Sequence, residues 1–451
     1  MVIPHHTLNT DLYQLTMSAA YFEQNINHSS TFELFVRKFP ENRSFMVASG
    51  IEHCLQYLTS LSFSSEDIAY LKSLECFNHV SSTFWDYLRE FKFTGDVEAI
   101  EEGTIFFPGE PVLTVTAPAI EAQIVETYLL AMFNFQTLIS TKAARINLAA
   151  QGKPVIDFGT RRAHSPLAGV LAARAAYIGG CSGTSNVLAG KEFGLPVSGT
   201  MAHSWVMSHK HEKDAFDAYS RIFPESNTLL IDTYDTVNAA KIVSELPYKV
   251  SGVRLDSGDL LALSKQVRYI LDNKDRNDIK IVVSGDLNEY KIQELLENDA
   301  PIDIFGVGTE LVTSKDAPAL AGVYKLVQQN IDGKTIFKAK FSDDKQTYPA
   351  KKQVYRFTDS QNNFQYDIIA LNGELDNTDS VKLLKPVMKA GKRIDDTTLN
   401  IAYAQNNCLN SLSKLPEYCK QLQNNSVYPV KISAGLEKLS NEVKKSAFSY
   451  V

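Results

Sequence analysis

The sequence predicts an α/β fold: an irregular TIM-like α/β barrel with a β-rich flanking domain built from N-terminal and post-barrel segments, plus a C-terminal extension. Three observations predict it. Between residues 154 and 322, short apolar strand-like runs alternate with helical patterns, and such repetition implies parallel strands joined by crossovers. Residues able to carry chemistry recur where those runs end: Asp157, His203, Asp232, Arg254, Asp256, Asp286 and Gly308. Segments before and after this region read as short strands punctuated by glycine and proline, the texture of antiparallel sheet. An open doubly wound sheet also fits the alternation, but there only strands beside the switch point bring their ends together. In a barrel all C-terminal strand ends share one rim, so these residues converge.

Residues 11–23 (DLYQLTMSAAYFE) set Leu12, Leu15, Ala19 and Phe22 at helical spacing. A strand is expected at 31–39, ending at the turn of 40–43, and several short strands within 95–118, broken by Gly103, Pro108, Gly109, Pro111 and Pro118. A helical pattern covers about 120–151 and stops at Gly152 and Pro154. Barrel strands are expected at 154–158, 196–199, 228–231, 251–255, 279–283 and 303–307. Helices separate them, such as 260–271, where Leu260, Leu263, Val267 and Ile270 share a face. After 322 come strands at 323–331, 335–341, 354–358 and 364–371, then a polar, lysine-containing tail that is helical over 432–445. The division is thus 1–150 as an N-terminal mixed domain, 151–325 as the catalytic barrel, 326–380 as returning β segments and 381–451 as the extension.

A hydrophobic fraction of 44% and a charged fraction of 22% in 451 residues describe a globular chain of more than one domain. The net charge of −7, without a long basic run, argues against a nucleic-acid partner held by bulk electrostatics. No apolar stretch approaches the roughly 20 residues that cross a bilayer, and the N-terminus lacks the plan of a signal peptide. The 5 cysteines are odd in number, scattered and without a C-x-x-C pair, which speaks against a disulfide framework or zinc site. A reducing, cytoplasmic compartment is expected.

The stretch 157–209 holds the densest chemistry. After a strand, D-F-G-T-R-R offers Asp157, Phe158, Thr160, Arg161 and Arg162; adjacent guanidiniums suit a carboxylate or phosphate, or else one is solvated and the other pairs with an acid. G-T-S-N (183–186) and G-T-M-A-H (199–203) bring hydroxyls and backbone amides close to a ligand, though such tetrapeptides also occur as plain turns. His203 has the chemistry of a nucleophile, acid or base at neutral pH, whereas His209 and His211 read as structural. I-D-T-Y-D, V-R-L-D-S-G and S-G-D-L deliver Asp232, Arg254, Asp256, Ser284, Gly285 and Asp286 at three successive strand ends. Converging carboxylates hold Mg²⁺, bind ribose hydroxyls or stabilise positive charge at a sugar carbon, while a lone one is more often a helix cap. I-F-G-V-G-T runs a strand into Gly308 and Thr309, a phosphate cradle after a late barrel strand.

In this order, together with T-D-L-Y-Q-L-T-M near the N-terminus, the segments resemble the nicotinate phosphoribosyltransferase family over most of residues 10–325 and more weakly beyond. The resemblance implies a homodimer with shared active sites that joins nicotinate to phosphoribosyl pyrophosphate (PRPP), giving nicotinate mononucleotide and pyrophosphate in NAD salvage. It also implies coupling to ATP hydrolysis through a phosphohistidine at His203, with Mg²⁺ accompanying PRPP and ATP. Phe158 and Tyr13, the latter from the neighbouring subunit, would sandwich the pyridine ring, and Arg161 would meet its carboxylate. Arg254 and Asp256 would contact PRPP, with Asp232 and Asp286 close by. Gly285, Gly308 and Thr309 would hold the 5′-phosphate, and Thr184, Ser185 and Ser284 would join the substrate contacts.

The related nicotinamide enzyme carries an acid where this chain has Ser185, so the carboxylate substrate is favoured. Quinolinate, with two carboxylates, calls for more basic residues. An aldolase calls for a lysine at a barrel strand end, a metal-dependent hydrolase for a tighter His and carboxylate set, and a non-catalytic nucleotide sensor would not need His203, Arg254 and Asp256 together.

Overall fold

The computed structural model describes residues 7–342, 345–394, 400–423 and 426–448; the outermost residues of the first and last expected segments lie outside them. The chain divides into two compact units, Met1–Leu138 with Ala319–Val451, and Ile139–Pro318.

The first unit begins with the helix Leu12–Glu23 and the strands β1 (Ser29–Val36), β2 (Met46–Val47), β3 (Asp96–Ala99), β4 (Ile105–Phe106) and β5 (Pro111–Pro118). Three helices between β2 and β3 (Ile51–Ser60, Ser65–Ser73 and Ser82–Arg89) were not foreseen individually. The expected helix over 120–151 is Ala119–Ile124 followed by Glu126–Ala149. Only Val125 separates them, and its backbone stays near helical (φ −84, ψ −12). The division between units falls inside the longer helix, after Leu138, rather than at its C-terminal end.

The second unit contains β6 (Val155–Asp157), β7 (Gly183–Thr184), β8 (Thr228–Leu230), β9 (Gly252–Leu255), β10 (Lys280–Val283) and β11 (Ile304–Val307). All pair in parallel, in the order β7-β6-β11-β10-β9-β8. The last strand of the series, β11, pairs with the first, β6, through Phe305–Val155 and Val307–Asp157. Such closure is the order of a barrel, opened here along the seam between β7 and β8. Val155, Val253, Leu255, Ile281, Val283, Phe305 and Val307 are all fully buried, as strands covered on both faces require. The expected strand at 196–199 reduces to one parallel bridge, Val197 to Thr184, because Pro196 and Gly199 bracket it and neither extends a ladder well.

Helix starts in this unit follow the caps in the sequence. Asn186, Asp235, Asp259 and Asn288 each accept from the backbone N–H three residues on, satisfying donors that the first helical turn leaves open.

The chain then returns to the first unit as β12 (Gly322–Ile331), β13 (Lys334–Phe337), β14 (Lys352–Thr358), β15 (Phe364–Leu371), β16 (Val381–Lys382), β17 (Lys385–Lys389), β18 (Lys392–Arg393) and β19 (Val430–Ile432). The β12–β13 hairpin turns on Asp332–Gly333, both with positive φ (+50 and +76), the two-residue turn whose twist suits antiparallel strands. One sheet runs β13-β12-β1-β5-β3-β17-β18 and another β16-β14-β15-β19. The tail is therefore more than a polar helical extension. It also supplies the helix Ile401–Lys414, and β19 pairs in parallel with β15 before Ser433 caps the helix Ala434–Phe448.

Candidate active site

The C-terminal ends of the barrel strands surround a cavity of about 570 Å³. Its walls include Phe158, Thr160, Arg161 and Arg162 after β6, Ser185 after β7, Gly199 to His203, Arg254 and Asp256 at β9, Ser284 to Asp286 after β10, and Gly306, Gly308 and Thr309 at β11. Three arginines and a histidine face two aspartates, a balance suited to an anionic ligand.

Arg254 organises the floor. Its Nε donates to Ser284 Oγ (2.8 Å), Nη1 to Thr200 Oγ1 (2.8 Å) and to the Met201 carbonyl (3.4 Å), and Nη2 to Asp256 Oδ1 (2.6 Å). The guanidinium carbon lies 5.5 Å from the centroid of the Phe158 ring, within cation–π range. The Ser284 hydroxyl also donates to Asp256 Oδ1. Burial alone would raise the Asp256 pKa, but the Ser284 hydroxyl and the Arg254 charge outweigh it and hold the carboxyl below its ordinary value.

His203 opens the helix His203–Met207. Its Nδ1 lies 3.2 Å from Thr233 Oγ1 and its Nε2 lies 3.9 Å from Asp256 Oδ2. The imidazole is thus held from one side with its other nitrogen turned to a carboxylate, and at 39% exposure it stays reachable.

Asp157 and Asp232 do not line the cavity; they brace residues that do. Asp157 is buried and accepts from Gly159 N (2.8 Å) and Thr184 Oγ1 (2.7 Å). Burial raises its pKa despite both donors. Thr184 is likewise buried, while Ser185 beyond it reaches the wall. Asp232 Oδ2 accepts from the backbone of Asp256 (2.9 Å) and the hydroxyl of Ser257 (2.7 Å), fixing the loop after β9.

Close backbone approach sets the glycines. A Cβ at Gly306 would stand 2.5 Å from Phe158 Cδ2, so the ring rests on bare backbone. At Gly285, φ is +99 and a Cβ would meet the Asp256 carbonyl at 2.0 Å, a position open to glycine alone.

A buried ion network ties down the elements that follow these loops. Lys142 Nζ lies 2.6 Å from Glu289 Oε2 and 2.8 Å from Asp316 Oδ1, with Glu310 Oε2 at 3.9 Å. Arg145 adds a bond to Glu289 Oε1 at 3.0 Å. Glu289 begins the helix after the 284–286 loop, and Glu310 follows Thr309.

Tyr13 stands on the first unit's Leu12–Glu23 helix, 47% exposed, its hydroxyl donating to Glu126 Oε2 at 3.3 Å. His209 takes the structural place expected of it, with Nδ1 2.9 Å from the Trp205 carbonyl. Thr200, Leu230 and Gly306 were missed as site residues. Thr200 lies within the quoted G-T-M-A-H, and Gly306 within I-F-G-V-G-T, so glycine and hydroxyl placement signalled both; an apolar strand residue such as Leu230 carries no such signal.

Models of the nicotinate phosphoribosyltransferase N-terminal domain, the nicotinate phosphoribosyltransferase family and the nicotinate phosphoribosyltransferase C-terminal domain match residues 8–134, 154–392 and 374–440. The chain belongs to the nicotinate phosphoribosyltransferase family. A Mycobacterium tuberculosis relative named nicotinate phosphoribosyltransferase pncB2 is 41% identical over 96% of this chain and 93% of its own. A nicotinate phosphoribosyltransferase of Bacillus subtilis is 42% identical over 84% of this chain and 79% of its own. The crystal structure of human nicotinic acid phosphoribosyltransferase superposes with a TM-score of 0.82 at 27% identity, covering 96% of this chain and 99% of that one. Family membership and barrel agree with the sequence expectation. Among the described residues no two cysteines are joined as a disulfide, and no helix is long and apolar enough to cross a membrane.

Proposed function

We propose that this protein is a nicotinate phosphoribosyltransferase of NAD salvage in the cytoplasm: the nicotinate ring nitrogen bonds to C1 of PRPP as the bond from C1 to pyrophosphate breaks, giving nicotinate mononucleotide. The observation that carries this is the gathering of Phe158, Arg161, His203, Arg254, Asp256, Gly285 and Gly308 around one cavity, in a chain of this family.

Phe158, seated on Gly306, stacks on the pyridine ring, and Arg161 pairs with its carboxylate. That fixes the nitrogen at attacking distance and removes the entropic cost of an encounter. Arg254 and Asp256 bind the ribose diphosphate portion of PRPP, and Asp256, held ionised by Ser284 and Arg254, stabilises the positive charge that grows at C1 as pyrophosphate departs. Backbone amides of Gly285, Gly308 and Thr309 receive the 5′-phosphate. Asp256 and Asp286, the carboxylates that face the cavity among the described residues, would hold Mg²⁺, which needs only one or two protein carboxylates and would neutralise charge on the diphosphate. Ser185, in place of an acid, leaves the substrate carboxylate unrepelled.

ATP enters as a second substrate. A ring nitrogen of His203 takes its γ-phosphoryl group as ADP leaves, and the added charge orders the loops around PRPP. In a homodimer, the half-exposed Tyr13 of each chain covers its neighbour's pyridine site.

Nicotinate, nicotinamide and quinolinate, each supplied with PRPP and with or without ATP, test the reading. Mononucleotide should form from nicotinate and increase with ATP. A preference for either of the other substrates would refute it. Labelled ATP should place acid-labile phosphate on the wild type and not on His203→Ala; label on that variant would remove His203 from this role.

A further inference from the structure

The first unit holds a second cavity, of about 550 Å³, walled by residues of β1, β14, β15 and β19 together with the Pro108–Gly109 turn, Phe341, Ser342, Gln346, Thr347, Tyr348 and Lys444. It nearly equals the barrel cavity in volume and falls in the size range of small-molecule sites. Among the described residues no aspartate or glutamate lines it, while Arg37, Lys352 and Lys444 do. These three cations differ in what they have left to offer. Lys352 Nζ already donates to the carbonyls of Tyr348 (2.9 Å) and Ala350 (2.8 Å), and its charge is paired with Glu33 Oε2 at 2.7 Å. Arg37 is the opposite case: its Nε is buried and has no hydrogen-bond partner. An unsatisfied buried donor on a charged group is costly, and a forked guanidinium matches a phosphate or carboxylate. Lys444, exposed and lining the cavity, adds a further positive charge. Beside them Phe35, Phe341 and Tyr348 give the cavity aromatic walls, and the Arg37 guanidinium carbon lies 5.9 Å from the Phe35 centroid.

We propose that this cavity is a second ligand site, taking a phosphorylated planar-ring compound of mononucleotide size, with the phosphate on Arg37 and Lys444 and the ring among Phe35, Phe341 and Tyr348. The phosphate supplies the acceptor that Arg37 Nε lacks, and the aromatic side chains receive the ring by stacking or edge contact. The site lies wholly within the first unit and stands whether or not the barrel catalyses the reaction proposed for it.

Calorimetric titration of the full chain with adenosine monophosphate tests it. The expected result is an equivalent of binding that survives Arg254→Met, a change in the barrel cavity, and weakens at least about tenfold in both Arg37→Met and Lys444→Met, as loss of one charge-assisted hydrogen bond implies. Ribose 5-phosphate, which keeps the phosphate and lacks the ring, should bind this equivalent about three- to tenfold more weakly. Lys444 is exposed, so an unchanged melting temperature in Lys444→Met separates loss of ligand from loss of fold. Adenosine monophosphate that binds only while Arg254 is intact, that binds both cavity variants as it binds the wild type, or that shows no binding at about 1 mM overturns the proposal.

Discussion

Removing the Arg254 guanidinium should cost the barrel more than one hydrogen bond and less than a fully buried ion pair. Its Nη2 lies 2.6 Å from Asp256 Oδ1, and the two side chains are 11% and 26% exposed. Breaking a fully buried pair costs about 3–5 kcal/mol, whereas an exposed pair is worth about 0.2–1 kcal/mol. Arg254→Met and Asp256→Asn should therefore each destabilise by about 2–3 kcal/mol, and the double variant by about 1.5–2.5 kcal/mol less than their sum. The chain's two tryptophans allow a clean assay. Trp205 belongs to the barrel unit and Trp85 to the other, so in a Trp85→Phe background urea unfolding followed by Trp205 fluorescence reports the barrel. The pH dependence has a definite sign. Burial opposes ionisation of Asp256, but the Ser284 hydroxyl and Arg254 more than offset it and depress the folded pKa. The stabilisation is therefore present above the unfolded carboxyl pKa of about 3.9 and disappears as pH falls through the lower folded value. The coupling measured near pH 7 should shrink in acid. Single-variant costs that add to within about 0.5 kcal/mol at pH 7 would refute the claim that these side chains form one unit.

Arg161→Ala should weaken nicotinate binding by about 1.5–3 kcal/mol and leave PRPP affinity unchanged; equal nicotinate affinity in titrations would take Arg161 out of the base site. Gly306→Ala places a Cβ 2.5 Å from the Phe158 ring, which should cost about 1–3 kcal/mol of stability and raise the KM for nicotinate more than that for PRPP. An unchanged KM for nicotinate would show that the seat of Phe158 does not matter. Lys142→Met removes one of the cations paired with Glu289, itself fully buried, and leaves it to Arg145; the change should destabilise the barrel by about 3–5 kcal/mol in the Trp205 assay, and a loss below about 1 kcal/mol, the scale of an exposed pair, would contradict it.

Parallel strands were legible because each is a compact apolar run and because polar residues mark their C-terminal ends. Gly183–Thr184 was not, since two residues carry no period, and only pairing with Ile156 and Asp157 makes them a strand. Residues 430–432 were hidden for a related reason: Val430 and Ile432 fit either a strand or the helical pattern beside them, and the parallel contact with β15 decides. Arg254, Asp256 and His203 were legible as chemistry from their types and places. Asp157, Thr184 and Asp232 have the same polar types, yet they point into hydrogen bonds that support the wall. Spacing along a chain fixes which loop bears a side chain, and the tertiary hydrogen bonds determine whether it meets a ligand or a neighbour. The Lys142 network was illegible because its members lie up to 174 residues apart.

A crystal structure with nicotinate mononucleotide and pyrophosphate bound tests the central claim most directly. The pyridine ring should lie against Phe158 with its carboxylate at Arg161, and the 5′-phosphate should lie at the amides of Gly285 and Gly308. Nucleotide found elsewhere, with the barrel mouth empty at saturating concentration, would contradict the account.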